Sequence, residues 1–287
     1  MQKPEKKITF KFFDYKWDKV PTWASDTEKI YRQWYLERYG HNTLDNLSLF
    51  LKDKKRILEA GCGLARDSKM FAELNPTVEI IAMDQSEQAL KIAKKTLDLY
   101  DNCKVVRDDI TNFKIMGKFD FISCDQVLHH TPDLEKTLSH LYSYLTIDGV
   151  LNFSVCRKKN KYRDFVDDLI MEHARTLSPE KLWEFSEIVT RFGKAIYELE
   201  INNVSFDKKK YVNLQRFVHD HVFRCWYNPE IDFDLSVSSN YDWFSENPRF
   251  NSKEVEVMMS QGLGPYDVLR FYKDNATISV SIKKVCE

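Results

Sequence analysis

The sequence lacks any long apolar segment. Its apolar runs are far shorter than the ~20 residues that a membrane-spanning helix needs. The N-terminal residues 1–7 are polar and charged, and no apolar segment follows them, so we expect no signal peptide. We therefore expect a cytoplasmic protein without a membrane partner.

Cysteine is scarce and shows no regular spacing. The six cysteines are scattered along the chain without the C-x-x-C spacing that is typical of zinc sites. Several lie in apolar segments that resemble strands, which favours buried free thiols in a reducing compartment. We therefore expect no bound metal.

Neither sign of charge dominates the composition. The chain has 43 Lys and Arg against 44 Asp and Glu, which gives a formal net charge of −1. Such a balance supplies no electrostatic reason to expect a nucleic-acid partner. The run Lys208-Lys209-Lys210 is a local exception that a solvent-exposed loop or face explains.

Glycine and proline number only 8 each, so each glycine marks a position where backbone geometry matters. From Arg56 onward, short apolar strands alternate with amphipathic helices. Ser86 is the predicted N-cap of one helix, and Pro132 lies in the predicted first turn of another. The predicted strands are 56–60, 78–83, 103–107, 119–124 and 150–155, and the helices between them are 65–74, 86–100 and 132–145. The alternation predicts a parallel, doubly wound sheet with right-handed crossovers.

The alternation stops after the fifth strand and returns near the C-terminus. Residues 158–245 are aromatic-rich and mostly helical in pattern, and two final strands at 266–272 and 276–284 flank an Asp274-Asn275 turn. We therefore predict an α/β fold: a Rossmann-like doubly wound sheet with a C-terminal antiparallel hairpin and a mainly helical cap insertion. The predicted segments are N-terminal lid helices (1–55), a cofactor-binding core (56–157), the cap (158–245) and the end of the sheet (246–287).

A glycine-rich turn joins the first predicted strand to the next helix. Gly61 and Gly63 let the backbone approach a ligand, and the helix N-terminus offers unpaired N–H groups. A dinucleotide site of the GxGxxG type needs its third glycine at a position that Arg66 occupies, which disfavours an NAD-dependent oxidoreductase. A second pattern places an acid two residues before the first glycine. Glu59 fits that pattern, with Ala65 in place of the third glycine.

Three further segments follow this turn. Asp84 ends the second strand, about 20 residues after the turn, and Asp109-Ile110 follows the third strand. The fourth strand leads into Val127-Leu128-His129-His130. With these features in this order, the sequence resembles the class I S-adenosylmethionine-dependent methyltransferases, in their small-molecule branch.

The resemblance implies S-adenosylmethionine as the cofactor. It implies that Asp84 accepts both ribose hydroxyls and that Asp109 accepts the exocyclic amine of adenine. The backbone N–H of Ile110 would donate to the adenine ring. The remaining cofactor-binding residues implied by the resemblance are Glu59, Gly61, Cys62, Gly63, Gln85 and Asp125.

Two pairs of histidines are candidate general bases. His129 and His130 follow the fourth strand, at the edge where open α/β sheets bind ligands. His219 and His221 lie in the cap; on a strand their imidazoles would point the same way, as in a metal pair, whereas on a helix edge they are ordinary polar residues. A base is needed only if the acceptor is protonated at neutral pH. A purely structural role for each histidine stays open.

We expect direct displacement at the methyl carbon onto an oxygen or nitrogen of a small-molecule acceptor, with the protein aligning the reactants and excluding water. The lid and the cap are the expected places for acceptor choice. The alternatives are an inactive methyltransferase-like scaffold or regulatory binding domain, and a protein methyltransferase. The neutral charge and the lack of an Asn-Pro-Pro-Tyr type of element after the fourth strand disfavour a nucleic-acid methyltransferase. A homodimer stays open as the oligomeric state.

Overall fold

The computed structural model describes residues 9–20, 25–245 and 248–286. As far as its residues are described, the chain forms two compact units. The sheet unit comprises Glu28–Arg157 and Pro248–Glu287, and the helical unit comprises Met1–Thr27 and Lys158–Asn247. Residues 28–55, which the sequence suggested as part of an N-terminal lid, thus belong to the sheet unit.

Helices and strands account for most of the described chain. The strands are β1 (Arg56–Ala60), β2 (Glu79–Asp84), β3 (Cys103–Arg107), β4 (Phe119–Cys124), β5 (Leu145–Cys156), β6 (Asn202–Phe206), β7 (Lys209–Asn213), β8 (Tyr266–Lys273) and β9 (Thr277–Lys284). The α-helices are α1 (Thr9–Lys19), α2 (Ser25–Tyr39), α3 (Leu44–Leu51), α4 (Arg66–Leu74), α5 (Glu87–Thr96), α6 (Leu134–Ser143), α7 (Lys161–Ala174), α8 (Pro179–Glu198), α9 (Leu214–His221), α10 (Phe233–Phe244) and α11 (Ser252–Gly262).

A seven-stranded sheet in the order β3-β2-β1-β4-β5-β9-β8 forms the centre of the sheet unit. Strands β1 to β5 are parallel, and β9 pairs antiparallel with both β5 and β8. The direction of winding reverses between β1 and β4, and open α/β sheets bind ligands at the carboxyl ends of the strands beside such a point. The predicted fold class is confirmed.

Side chains that alternate along the central strands cover both faces of the sheet. Ile57 and Phe121 share one buried cluster, and their neighbours Leu58 and Ile122 share another. The first cluster continues into α2, α3 and α4 through Tyr35, Leu47 and Phe71. The second continues into α6 and α11 through Leu138 and Met258. Strands buried on both faces explain why the predicted strands read as nearly continuous apolar runs.

The C-terminal hairpin has the predicted turn. The Oδ1 of Asp274 accepts the backbone N–H groups of Ala276 and Thr277 at 2.6 and 2.7 Å. This local bonding of an aspartate to the backbone ahead of it closes a tight turn. Strands β8 and β9 therefore pair as the antiparallel hairpin that the sequence predicted.

Capping side chains determine where two of the predicted helices begin. Ser86 caps α5 by accepting the Ala89 N–H, as predicted. Asp133 caps α6 by accepting the Lys136 N–H, so Pro132 precedes the cap, and the prediction that it lies in the first turn is wrong. Helix α5 ends at Thr96 rather than at residue 100, because residues 97–100 form a turn.

Aromatic side chains form much of the core of the helical unit. Tyr15 packs against the rings of Trp183 and Tyr241, and the Tyr241 hydroxyl donates to the backbone carbonyl of Phe12 at 3.0 Å. The unit also contains the β6–β7 hairpin, which the sequence analysis assigned to a helical segment. In the part of the chain that the structure describes, no helix has the length and apolar character to cross a membrane.

Candidate cofactor site

The glycine turn after β1 is bonded to the end of β2. The backbone N–H groups of Gly61 and Cys62 both donate to the Met83 carbonyl at 2.8 Å. Gly61 has a φ of +82°, and a Cβ atom there would lie 2.4 Å from a methyl carbon of Val127. Both the backbone conformation and the approach of the β4 turn therefore require glycine at position 61.

Glu59 lies beneath this turn and is buried. Its Oε2 accepts the backbone N–H of Ser68 at 2.9 Å and also the Ser68 hydroxyl. Burial, and secondarily the charge of Asp67, raise the pKa of Glu59 well above its usual range. Glu59 therefore joins the end of β1 to the first turns of α4.

Asp84 joins the glycine turn to the start of α5. One carboxylate oxygen accepts the Gly63 N–H at 2.8 Å, and the other accepts the Ser86 N–H at 2.8 Å. Each carboxylate oxygen can accept more than one hydrogen bond, so these two contacts do not by themselves prevent Asp84 from accepting ligand hydroxyls. Gln85 is the next residue and is half-buried.

Asp109 and Ile110, the acidic and apolar residues after β3, have different roles in the fold. Asp109 Oδ1 accepts the Thr111 N–H at 2.8 Å, which shapes the loop. The side chain of Ile110 is buried in the core cluster that contains Leu58. Asp84 is the last residue of β2, and the glycine turn and Asp109 follow β1 and β3. Because these three parallel strands are neighbours, the structure places all three features along one edge of the sheet.

Asp125 directly follows β4 and belongs to a polar network that the sequence analysis did not predict. Arg38 Nη2 donates to its Oδ2 at 2.5 Å, and Tyr39 and Ser154 donate to its Oδ1 at 2.8 and 2.9 Å. The signal in the sequence was the helical spacing of Tyr31, Tyr35, Arg38 and Tyr39, which places these residues on one side of α2.

His129 and His130 lie in a single 3₁₀ turn, Leu128–His130, just after β4. Their ring centroids are 4.2 Å apart, and His129 is buried. This turn follows the strand that neighbours β1, so both residues stand at the same edge of the sheet as the glycine turn.

His219 and His221 lie on helix α9 of the helical unit, so the strand geometry considered for a metal pair is wrong. Burial, followed by the charges of nearby arginines and a lysine, lowers the pKa of His219 well below its usual value. His221 contacts the Tyr211 hydroxyl and the Asn160 amide. Over residues 9–20, 25–245 and 248–286, no three His, Cys, Asp or Glu side chains are grouped to hold a metal ion.

A doubly wound sheet with a glycine turn and acidic strand ends along one edge is the architecture of the class I methyltransferases. The family model described as "Methyltransferase domain" matches residues 51–217, which is more than half of the chain. The chain belongs to this methyltransferase family, whose cofactor is S-adenosylmethionine.

Two individual relatives share less than 30% sequence identity with this chain over the matched residues. The malonyl-[acyl-carrier protein] O-methyltransferase 1 of Ilyobacter polytropus is 28% identical over 158 residues, which cover 51% of this chain and 57% of that protein. The ubiquinone biosynthesis O-methyltransferase of Thiobacillus denitrificans is 29% identical over 112 residues, or 37% of this chain and 47% of that protein. The chain thus spans about half the length of these two relatives.

A crystal structure described as a possible exported protein from Bordetella parapertussis shares the fold. The TM-score is 0.52 at 14% sequence identity, and the match covers 87% of this chain and 68% of that one. At this level of identity the likeness concerns the fold alone.

The donors and acceptors present fit an adenosine-containing cofactor. The carboxylates of Asp84 and Asp109 can accept hydrogen bonds of the kind that ribose hydroxyls and an adenine amine donate. When bound, S-adenosylmethionine supplies an activated methyl group on a sulfonium.

Proposed function

We propose that this chain transfers the methyl group of S-adenosylmethionine to an oxygen atom of a small-molecule acceptor. The bond between Asp84 and the Gly63 N–H carries the proposal most directly, because it makes the ribose-binding carboxylate and the glycine turn one unit. Such a unit is set for the ligand before binding, which lowers the entropic cost of ordering it.

In this proposal the residues of the sheet unit bind and orient the cofactor. Asp84 accepts the ribose hydroxyls, Asp109 accepts the adenine amine, and the Ile110 backbone N–H donates to the ring. Methyl transfer from a sulfonium depends mainly on the alignment of the nucleophile, the methyl carbon and the sulfur, and less on proton transfer. His129 or His130, after β4, would serve as a base only for an acceptor that is protonated at neutral pH.

Oxygen is the proposed acceptor atom because of the relatives. The malonyl-[acyl-carrier protein] and ubiquinone biosynthesis enzymes are both named O-methyltransferases. A carboxylate oxygen would need no general base, whereas a hydroxyl would. Comparing turnover of carboxylic acids with that of phenols and amines therefore also tests whether a histidine base takes part.

Calorimetric titration of the purified protein with S-adenosylmethionine, S-adenosylhomocysteine and NAD is the first test. We expect binding of the two sulfur nucleotides and none of NAD. An assay for S-adenosylhomocysteine release with acids, phenols and amines then identifies the acceptor class. A folded sample, free of carried-over ligand, that binds neither sulfur nucleotide would contradict the proposal and favour the scaffold alternative.

A further inference from the structure

Positively charged side chains surround His219 in the helical unit. His219 is buried, and after burial itself the positive charges of its neighbours are what lowers its pKa. These neighbours come from the start of α7, from α9 and from the loop after α9, and we call them the cationic cluster: Lys159, Arg163, Arg216 and Arg224. All four belong to the helical unit.

Two carboxylates form ion pairs with members of the cationic cluster. Asp167 Oδ1 accepts the Nε–H of Arg163 at 2.9 Å, and both side chains are fully buried. Asp220 Oδ1 lies 3.5 Å from Lys159 Nζ. Arg163 also donates through Nη1 to the backbone carbonyl of His219. These bonds hold Lys159 and Arg163 in place beside His219.

Arg216 has no such partner. Its guanidinium lies 4.1 Å from the centre of the Trp226 ring, and that ring packs against His219 with 5.3 Å between the ring centroids. The Arg216 side chain forms neither a hydrogen bond nor an ion pair within residues 9–20, 25–245 and 248–286. The cationic cluster therefore presents a guanidinium that is held in place by an aromatic ring and not by an acid.

Two buried N–H donors beside His219 also lack an acceptor. Trp226 Nε1 and Arg163 Nη2 have no hydrogen-bond partner in the part of the chain that the structure describes. Buried donors in proteins are nearly always hydrogen-bonded, so donors that are gathered in one place favour the binding of an acceptor. Because the surrounding charge is positive, an anion is the acceptor that this environment stabilises best.

The cationic cluster extends to the surface of the helical unit. Lys159, Arg216 and Trp226 are half-buried, which gives a ligand a route to the donors. Burial lowers the pKa of Lys159 to about 8; Asp220 opposes this shift, and the charges of Arg163 and Arg224 add to it. A bound anion would relieve the repulsion among these cations.

On the basis of the proposed function, we propose that the cationic cluster binds an oxyanion, a carboxylate or phosphate group, of the methyl acceptor. This group is distinct from the oxygen that receives the methyl group. Arg216 and the Trp226 N–H donate to its oxygens, and Arg163 and Lys159 supply positive charge. A planar guanidinium matches the oxygen pairs of carboxylates and phosphates. The acceptor class thus narrows to anionic small molecules.

Inorganic phosphate and malonate are the probes for direct binding. A ligand that binds only the folded state raises the melting temperature of the full chain with its concentration, and sodium chloride at equal ionic strength is the reference. We expect phosphate or malonate to raise it, and the stronger of the two responses to identify the group. Arg216→Met keeps an apolar stem over Trp226 and removes the charge. We expect it to raise the apparent Kd of the anion roughly ten-fold or more.

Two further variants test the donors and the specificity. Trp226→Phe keeps a ring beneath Arg216 but removes the N–H, so the apparent Kd of the anion should rise by a smaller factor of about three-fold. Arg191→Met is the matched control, because Arg191 is an exposed arginine on α8 of the same unit and pairs with Glu187 at 3.6 Å. Its anion affinity should equal that of the wild type.

An assay of S-adenosylhomocysteine release relates the anion to the acceptor. Phosphate or malonate should compete with the acceptor, and Arg216→Met should raise the KM of the acceptor more than it lowers kcat. Inhibition that is not competitive would show binding of a separate anion and overturn the assignment to the acceptor. A wild-type melting temperature that responds to the probes no more than to sodium chloride would overturn the inference, and so would equal responses in wild type and Arg216→Met. Failure to bind S-adenosylhomocysteine would contradict the proposed function, and that measurement is independent of the response to the anions.

Discussion

At the scale of single residues, the acids at the edge of the sheet already bind the backbone. Glu59 accepts from Ser68, and Asp84 accepts from Gly63 and Ser86. A carboxylate that accepts backbone hydrogen bonds from a loop is already fixed in orientation before a ligand binds. Ligand binding then has to order fewer groups. Substitution of such a residue should therefore affect both the loop and the ligand.

Asp84→Ala tests this double role. We expect S-adenosylhomocysteine to bind more weakly by about 2–4 kcal/mol, or roughly 30- to 1000-fold in Kd, through loss of charge-assisted hydrogen bonds. Asp84→Asn keeps one acceptor oxygen and should give a smaller loss. Asp98→Ala, at an exposed position in the turn after α5, is the control. Unchanged calorimetric affinity in Asp84→Ala would remove the ribose assignment.

His41 should make stability depend on pH. Burial, and then the charge of Arg270, lower the pKa of His41 from its ordinary 6.5 to about 4. Between these two values the unfolded chain binds a proton that the folded chain does not, so stability falls as the pH decreases through this window. Denaturant titrations from pH 7 to pH 4 should show a shallower loss for His41→Gln than for the wild type. The exposed His173→Gln serves as the control, and identical slopes in wild type and His41→Gln would contradict the prediction.

At the scale of elements, the turns after β1 and β4 are packed against each other. Gly61→Ala would place its Cβ 2.4 Å from Val127 Cγ1 at a φ of +82°. The backbone strain alone costs about 1–2 kcal/mol, and the clash adds to it. We expect a lower melting temperature and weaker binding of S-adenosylhomocysteine.

A companion variant separates the clash from the strain. Gly61→Ala/Val127→Ala removes the two nearest methyl carbons but leaves the Cβ of residue 127 at 2.9 Å, so recovery should be partial. Gly262→Ala is the control, since a Cβ there meets only an ordinary contact at 3.5 Å. A melting temperature equal to that of the wild type in Gly61→Ala would show that the turn tolerates side chains.

The strands of the sheet were largely predictable because their signal is local. Apolar runs ending in glycine or acidic residues located β1, β3 and β4 at the residues where the structure has them. The β6–β7 hairpin was missed because most of its residues are polar and exposed. The two residues of its turn are Asp207 and Lys208, and both have a positive φ. Asn-Gly or Asp-Gly is the pair that usually indicates a two-residue hairpin turn in a sequence.

The candidate site was predictable only in part, for a different reason. Glu59, Asp84 and Asp109 each lie next to a strand end, so spacing along the chain identifies them. The pairing of Arg38 with Asp125 joins residues that are 87 positions apart. Side-chain spacing on α2 shows that Arg38 shares a face with tyrosines, but only the packing of α2 on the sheet supplies its partner.

At the scale of the whole molecule, the sheet unit contains the complete seven-stranded sheet without the helical unit. The chain leaves the sheet unit after β5 and returns to it at residue 248. Close to this return, Arg157 forms a β-bridge with Phe250, and the Phe250 N–H donates to the Cys156 carbonyl at 2.8 Å. The two ends of the insertion therefore meet in the sheet. We propose that the helical unit serves acceptor selection rather than cofactor binding.

Removal of the helical unit tests that division of roles. A chain that begins at residue 28 and replaces 158–247 with about four Gly and Ser residues, which reach at most ~14 Å, can rejoin the two ends. We expect this protein to fold, by circular dichroism, and to bind S-adenosylhomocysteine as the full chain does, while methyl transfer to the identified acceptor is lost. The same linker placed between Asp207 and Lys208 of the full chain is the control and should retain both functions. Turnover in the shortened protein would place acceptor selection in the sheet unit, and a failure to fold would show that the sheet unit depends on the residues removed.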